Sequence, residues 1–285
     1  MTTRALVLGG GGPVGVAWET AILAGLLDSG LDVRDADLVI GTSAGSVVGA
    51  SIAHGRDPRI PPDASTRRPV RNLMPGDPAA VADVFRLWGS FDEMTPEHCA
   101  QVGALALSAP TASQDEWLAG FLDDGSGWPA KPLLICAVDC QSGELRVFSR
   151  DDGVPINVAC AASCAVPGLF PPVEIDGHRY TDGGVRSWTS ADLALRIKAD
   201  RALIVAPAGV EGAPGVRGLA ARQVVRETKQ LEAAGVSVQL VTFDAAAQAA
   251  GQNLMDPTSI PAVTEAALAH ARRIASDLIV WWETG

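Results

Sequence analysis

Two short apolar runs near the N-terminus each break into glycines and then enter a helix, and that pattern leaves few folds open. Arg4–Leu8 is an apolar run ending in four consecutive glycines, Gly9 to Gly12, so it reads as a buried strand. From Val16 to Leu27 the apolar residues Val16, Leu23, Leu26 and Leu27 recur at helical spacing, and Ser29-Gly30 supplies a stop signal. Leu38–Ile40 is a second buried strand. Ala44–His54 follows as a helix of small residues able to lie close against a sheet. Strand, helix and strand in this order imply a parallel βαβ unit with a right-handed crossover.

The same alternation returns later. Strands are expected at Leu133–Val138, Leu145–Ser149, Val173–Ile175, 202–206 and 236–243, with helices at 190–198, 216–234 and 261–282. Between the two halves, Arg56–Pro78 carries five arginines (Arg56, Arg59, Arg67, Arg68, Arg71) and six prolines without any period. A loop of this length is usually functional or disordered. Helical patterns at 79–89, 95–107 and 114–122 follow it, so the middle of the chain reads as a mostly helical insertion. The fold class expected is α/β, a parallel-dominated central sheet covered by helices.

A chain of 285 residues with 47% hydrophobic content can bury a full core. Its formal charge of −11 argues against a general nucleic-acid binder, which needs a basic face, and provides no global attraction to anionic membranes. The five cysteines (Cys99, Cys136, Cys140, Cys160, Cys164) lack neighbouring histidines that would complete a zinc pattern, and they read as small buried hydrophobes. No acidic cluster has the spacing of a calcium loop, so no metal or cofactor is expected. With no signal-peptide core and no membrane-spanning run, the expected location is cytoplasmic.

GTSAG at 41–45 fits G-x-S-x-G and sits between a strand and a helix, the setting of a nucleophile elbow. Gly41 and Gly45 would let strand and helix approach, and the helix N-terminus would stabilise negative charge near Ser43. A plain N-cap serine in a glycine-rich turn is the alternative. Gly10, Gly12 and Gly15 also fit the dinucleotide fingerprint G-x-G-x-x-G. That reading wants an acid at the end of the second strand, whereas Asp35 and Asp37 precede it. The glycines are then free to serve as an oxyanion hole.

None of the four histidines announces itself as the base. His54 ends the helix that Ser43 starts, His98 lies in the insertion, His178 in a hairpin and His270 on the last helix. Asp182 in YTDGG is the better candidate, its alternative being a simple Asp-Gly turn.

Four ordered blocks carry a family resemblance: GGGPVG (10–15), GTSAG (41–45), AASCAVPGLFPPVEIDGHRYTDGG (161–184) and the alternation just after it. The chain resembles the patatin-like phospholipases. The resemblance implies a three-layer α/β/α fold and a histidine-free dyad of Ser43 and Asp182. It implies oxyanion donors at Gly10, Gly11 and Gly12, with Gly15, Gly41, Gly45, Gly183 and Gly184 as supporting motif residues. It further implies a catalytic domain over 4–200 with a loop, helical insertion or lid at 56–130, and 201–285 as an α/β continuation on the same domain. The substrate implied is a lipid or other acyl ester, met through transient contact with a membrane surface. Two other readings stand beside it: a non-catalytic lipid-binding protein on the same fold, and a nucleotide-binding oxidoreductase. Many family members carry a basic residue where this chain has Val14, which supplies no cation for an anionic head group. Pro13 stiffens the loop and removes one N–H, so the oxyanion donors should precede it. Trp281 and Trp282 are expected to pack against the sheet or, alternatively, to anchor at an interface.

Overall fold

Alternation along the first strand divides the molecule into layers. In β1 (Arg4–Leu8), Leu6 and Leu8 face one apolar core while Ala5 and Val7 face another, and all four are fully buried. A strand covered on both faces must lie in the middle of a three-layer α/β/α stack. The computed structural model describes residues 2–60, 77–121, 125–208 and 212–283. Most of the arginine-rich stretch read as a loop or lid, including Arg67, Arg68 and Arg71, lies outside the described residues.

The strands are β1, β2 (Leu38–Thr42), β3 (Leu133–Asp139), β4 (Leu145–Phe148), β5 (Val173–Ile175), β6 (His178–Asp182), β7 (Arg201–Val205) and β8 (Ser237–Val241). They form one sheet with the path β5-β6-β3-β2-β1-β7-β8, and β4 also pairs with β3. β1, β2, β3, β7 and β8 run parallel; β4, β5 and β6 form the antiparallel pairs at the other end.

On one face lie α1 (Gly12–Asp28), α2 (Ala44–Ala53), α6 (Ile156–Ser163) and α9 (Ile260–Glu283). On the other lie α3 (Pro78–Trp88), α4 (Pro96–Ser108), α7 (Gly215–Ala233) and the 3₁₀ helix Ala191–Ile197. Two short helices, α5 (Gln114–Leu118) and α8 (Ala245–Ala250), complete the set among the described residues. No described helix is long and apolar enough to cross a membrane.

The strand and helix expectations hold to within a few residues at each end, with three differences. The segment expected as helix 190–198 is a 3₁₀ helix bounded by Ser190 and Lys198, both in left-handed backbone. Helix α6 was not anticipated because INVACAAS is apolar and small on most sides and has no clean helical stripe. Helix α8, six alanine-rich residues capped by the Asp244 carboxylate, was likewise not anticipated. The two tryptophans pack inward: Trp282 is buried with its Nε1–H on Asp35 at 2.8 Å, and Trp281 donates to Ser237 Oγ at 2.8 Å.

A close joint lies where α2 crosses β1. A Cβ on Gly45 would stand 2.1 Å from the carbonyl oxygen of Leu8, an atom of the central strand with no freedom to retreat. Gly45→Ala is therefore expected to cost about 3 kcal/mol or more, the upper end for overpacking. Thermal unfolding checks this; a melting temperature within about 2 °C of the parent would contradict it.

Candidate active site

Register places the two residues that matter. β2 ends with Thr42 opposite Cys136 of β3, and β6 ends with Asp182 opposite Ala137, the next residue along. Because β4 pairs with both Cys136 and Ala137, it must occupy the other edge of β3. β2 and β6 thus approach along the same edge from opposite directions and stop one residue apart. Ser43, immediately after β2, meets Asp182 there: Ser43 Oγ donates to Asp182 Oδ2 at 2.7 Å.

Ser43 has φ 54° and ψ −119°, a conformation a non-glycine residue holds only when its surroundings over-determine it. They do so here. Its N–H donates to Ser163 Oγ at 2.8 Å, and Ser163 Oγ–H in turn donates to the Cys136 carbonyl at 2.6 Å. Its carbonyl accepts from Ser46 Oγ at 2.7 Å and from the Cys164 thiol at 3.2 Å. A strain of about 1–3 kcal/mol is thereby offset by bonds worth about 1 kcal/mol each. The sequence alone gives Ser46 and Ser163 no role at the site and reads Cys164 as a small buried hydrophobe, whereas its thiol holds the Ser43 carbonyl. The only signal was that Ser163 and Cys164 fall in the block that ends at Asp182.

Asp182 is also the Asp-Gly turn of the alternative reading, since its Oδ1 accepts the Gly184 N–H at 2.7 Å. One carboxylate thus makes both the turn and the contact with Ser43. Gly183 is required beneath it, because a Cβ there would lie 2.3 Å from the Cys136 carbonyl. Asp182 is almost wholly buried, and burial pushes its carboxyl up from 3.8 to about 7, against the opposing pull of its bonds from Ser43 and Gly184.

The glycine loop lies beside this pair: a methyl added at Gly10 would sit 3.7 Å from Ser43 Cβ. Gly10 needs a correction as an oxyanion donor, because its N–H is already given to the Trp188 carbonyl at 2.8 Å. Among the described residues the N–H groups of Gly11 and Gly12 have no acceptor. Gly15 faces Pro207 and Ala44, and Val14 is fully buried with its N–H on the Leu254 carbonyl at 3.2 Å.

The histidines are engaged elsewhere. His54 meets the Gly127 carbonyl, His98 stacks on Phe91, His178 bonds Asp139 at 2.8 Å and His270 lies beside Asp244. The acids that a nucleotide reading would recruit are also occupied: Asp35 holds Arg4 and Trp282, and Asp37 accepts the Arg4 N–H. All five cysteines are buried thiols outside any disulfide. Among the described residues no group of three or more His, Cys, Asp or Glu side chains is placed to hold a metal ion.

A family model described as patatin-like phospholipase matches residues 6–195. Similar curated proteins include uncharacterized NTE family proteins of Mycobacterium tuberculosis and Mycobacterium bovis. Each is 27% identical over 213 residues, covering 74% of this chain and 50% of the relative. The chain thus spans about half the length of the curated relatives it matches. Among solved structures, VipD from Legionella pneumophila is 12% identical with a TM-score of 0.47, over 97% of this chain and 67% of that one. The type III effector protein ExoU is 17% identical with a TM-score of 0.44, over 97% of this chain and 53% of that one.

Two outcomes follow from this geometry. Ser163→Ala leaves the Ser43 N–H buried without an acceptor and is expected to destabilise the fold by about 1–3 kcal/mol in chemical denaturation. Asp182→Asn works in the other direction. With a native pKa near 7 against 3.8 for a free carboxyl, ionised Asp182 opposes folding, and this penalty is complete above about pH 7. The Asn variant should melt higher than the parent at about pH 8, its advantage shrinking toward pH 4, where both side chains are neutral. A variant that melts lower at about pH 8 would refute this account of the carboxyl.

Proposed function

The chain belongs to the patatin-like phospholipase family, and on that footing we propose that it is a serine lipid acyl hydrolase with Ser43 as nucleophile and Asp182 as base. The observation that carries this reading is the 2.7 Å hydrogen bond from Ser43 Oγ to Asp182 Oδ2, made from a strained turn at the N-terminus of α2.

Ser43 Oγ attacks the carbonyl carbon of an acyl ester while its proton passes to Asp182 Oδ2. The charge that develops on the carbonyl oxygen is taken by the N–H groups of Gly11 and Gly12 and by the nearby N-terminus of α2. Collapse of the tetrahedral intermediate breaks the bond to the alcohol oxygen, which leaves with the proton held by Asp182. The acyl group remains on Ser43. A water then gives a proton to Asp182 as it attacks the acyl-enzyme, and on collapse Asp182 returns that proton to the departing Ser43 Oγ, which releases the carboxylic acid and restores the serine. An ordinary carboxylate is a feeble base toward a hydroxyl. Burial raises Asp182 to about 7, which narrows the gap in proton affinity and compensates for the lack of a histidine.

The substrates proposed are carboxylic esters of phospholipids or related acyl esters. Residues 4–200 form the catalytic unit in this reading, with 201–285 extending the same sheet.

The decisive experiment treats the protein with a fluorophosphonate and maps the adduct. Labelling is expected at Ser43, absent in Ser43→Ala and reduced about 100-fold or more in rate in Asp182→Asn. No adduct at Ser43 would favour a lipid-binding protein without turnover. Because Asp182 must be ionised to accept the proton, kcat/KM on a soluble ester should fall about tenfold per pH unit below about 7 and level off above it. A profile flat down to about pH 5 would remove Asp182 from the role of base.

A further inference from the structure

Glycine loops of this kind are floppy unless something fixes them, and here much of the fixing comes from α7, beyond residue 195 where the family match ends. The link is Trp188, in the segment after Asp182. Its carbonyl accepts the Gly10 N–H at 2.8 Å. Its ring lies against both loops of the site: a methyl at Gly10 would touch it at 3.4 Å, and one at Gly184 at 3.7 Å. Trp188 thus spaces the glycine loop from the turn that carries Asp182.

Trp188 is itself held from α7. Its N–H donates to Gln223 Oε1 at 3.3 Å, and Gln223 Nε2 donates to the Arg186 carbonyl at 3.0 Å. One helical turn further on, Glu227 accepts the hydroxyls of both Ser187 and Thr189. Ser187 Oγ also accepts the Ser190 N–H at 2.6 Å, and Ser190 Oγ accepts from Thr42 Oγ1 at 3.3 Å, next to the nucleophile. Gln223 and Glu227 are 3% and 9% exposed, so their side chains belong to a buried polar network. Burying a carboxylate and an amide here is costlier than burying apolar residues of the same size. What the polar pair adds is direction, because hydrogen bonds fix a backbone segment where apolar packing would let it slide.

We propose, resting on the Ser43–Asp182 reading, that Gln223 and Glu227 are positioning residues for the glycine loop and act on it through Trp188. Neither touches the substrate. They hold the segment from Arg186 to Ser190, whose Trp188 carbonyl occupies the Gly10 N–H and so leaves those of Gly11 and Gly12 as the donors.

The test uses the full chain with Gln223→Met, which keeps side-chain volume but loses both bonds, and Glu227→Gln, which can accept only one of the two hydroxyls. Turnover of a short soluble aryl ester and amide hydrogen exchange of a peptide spanning residues 6–16 are measured together. In Gln223→Met, kcat is expected to fall about 10- to 100-fold with KM within about twofold, the signature of lost transition-state stabilisation. Exchange at the glycine loop should rise while the acid limb of the pH profile stays where it was. Glu227→Gln should shift both readouts in the same direction by less. Thr228→Val, losing only a bond back to Val224 within α7, serves as the control and should change neither. Unchanged exchange in both variants, or faster exchange with undiminished kcat, overturns the proposal. So does an equal effect in Thr228→Val, which would mark a general loosening of the helix. Ser43→Ala separates the two levels. Hydrolysis surviving in it overturns the Ser43 reading and the catalytic role proposed here. Hydrolysis lost in it but intact in Gln223→Met overturns the positioning role alone.

Discussion

Everything at the centre of this protein depends on one edge of β3. Parallel β2 and antiparallel β6 both pair along it and stop at adjacent residues, Cys136 and Ala137. A parallel strand brings its C-terminal end to that point, and so does an antiparallel strand coming from the other side. The residues at the two strand ends, Ser43 and Asp182, are therefore forced together although 139 positions separate them. Neither a fully parallel nor a fully antiparallel sheet could make this meeting on one edge. The mixed character of the sheet at this end is thus part of the site.

Two destabilising features are concentrated there. Ser43 is held in a backbone conformation that most residues avoid, and Asp182 is a carboxyl almost without water. Each is kept in place by bonds that do nothing else: Ser163 and Cys164 on the elbow, Gly184 on the acid. The desolvation that costs stability also lifts Asp182 toward neutrality, which in the proposed mechanism strengthens it as a base. Stability and reactivity oppose each other at this one carboxyl.

The layered α/β fold was legible because its strands are short apolar runs punctuated by glycines, and its longer helices repeat at a distinct period. The elements that escaped notice, α6 and α8, are short and built of alanine and other small residues, which bury without a stripe. At the site, Ser43 could be located because G-x-S-x-G between strand and helix is a local pattern, and DGG marked Asp182 in the same way. The family resemblance implies a donor's role for Gly10. Its N–H instead goes to Trp188, a residue 178 positions away that no local pattern could connect to it.

The sequence by itself determined which residues stand at the strand ends, because turn chemistry, glycine requirements and helix starts are local and leave local traces. It also made Asp182 a better candidate partner for the serine than any of the four histidines. The tertiary structure alone decided that the two meet at 2.7 Å, which glycine amides remain free, and that Gln223 and Glu227 hold the segment around Trp188 from a helix beyond the matched region. Those facts depend on strand register and on burial. Both are sums over contacts distant in the chain, so no window of sequence contains them.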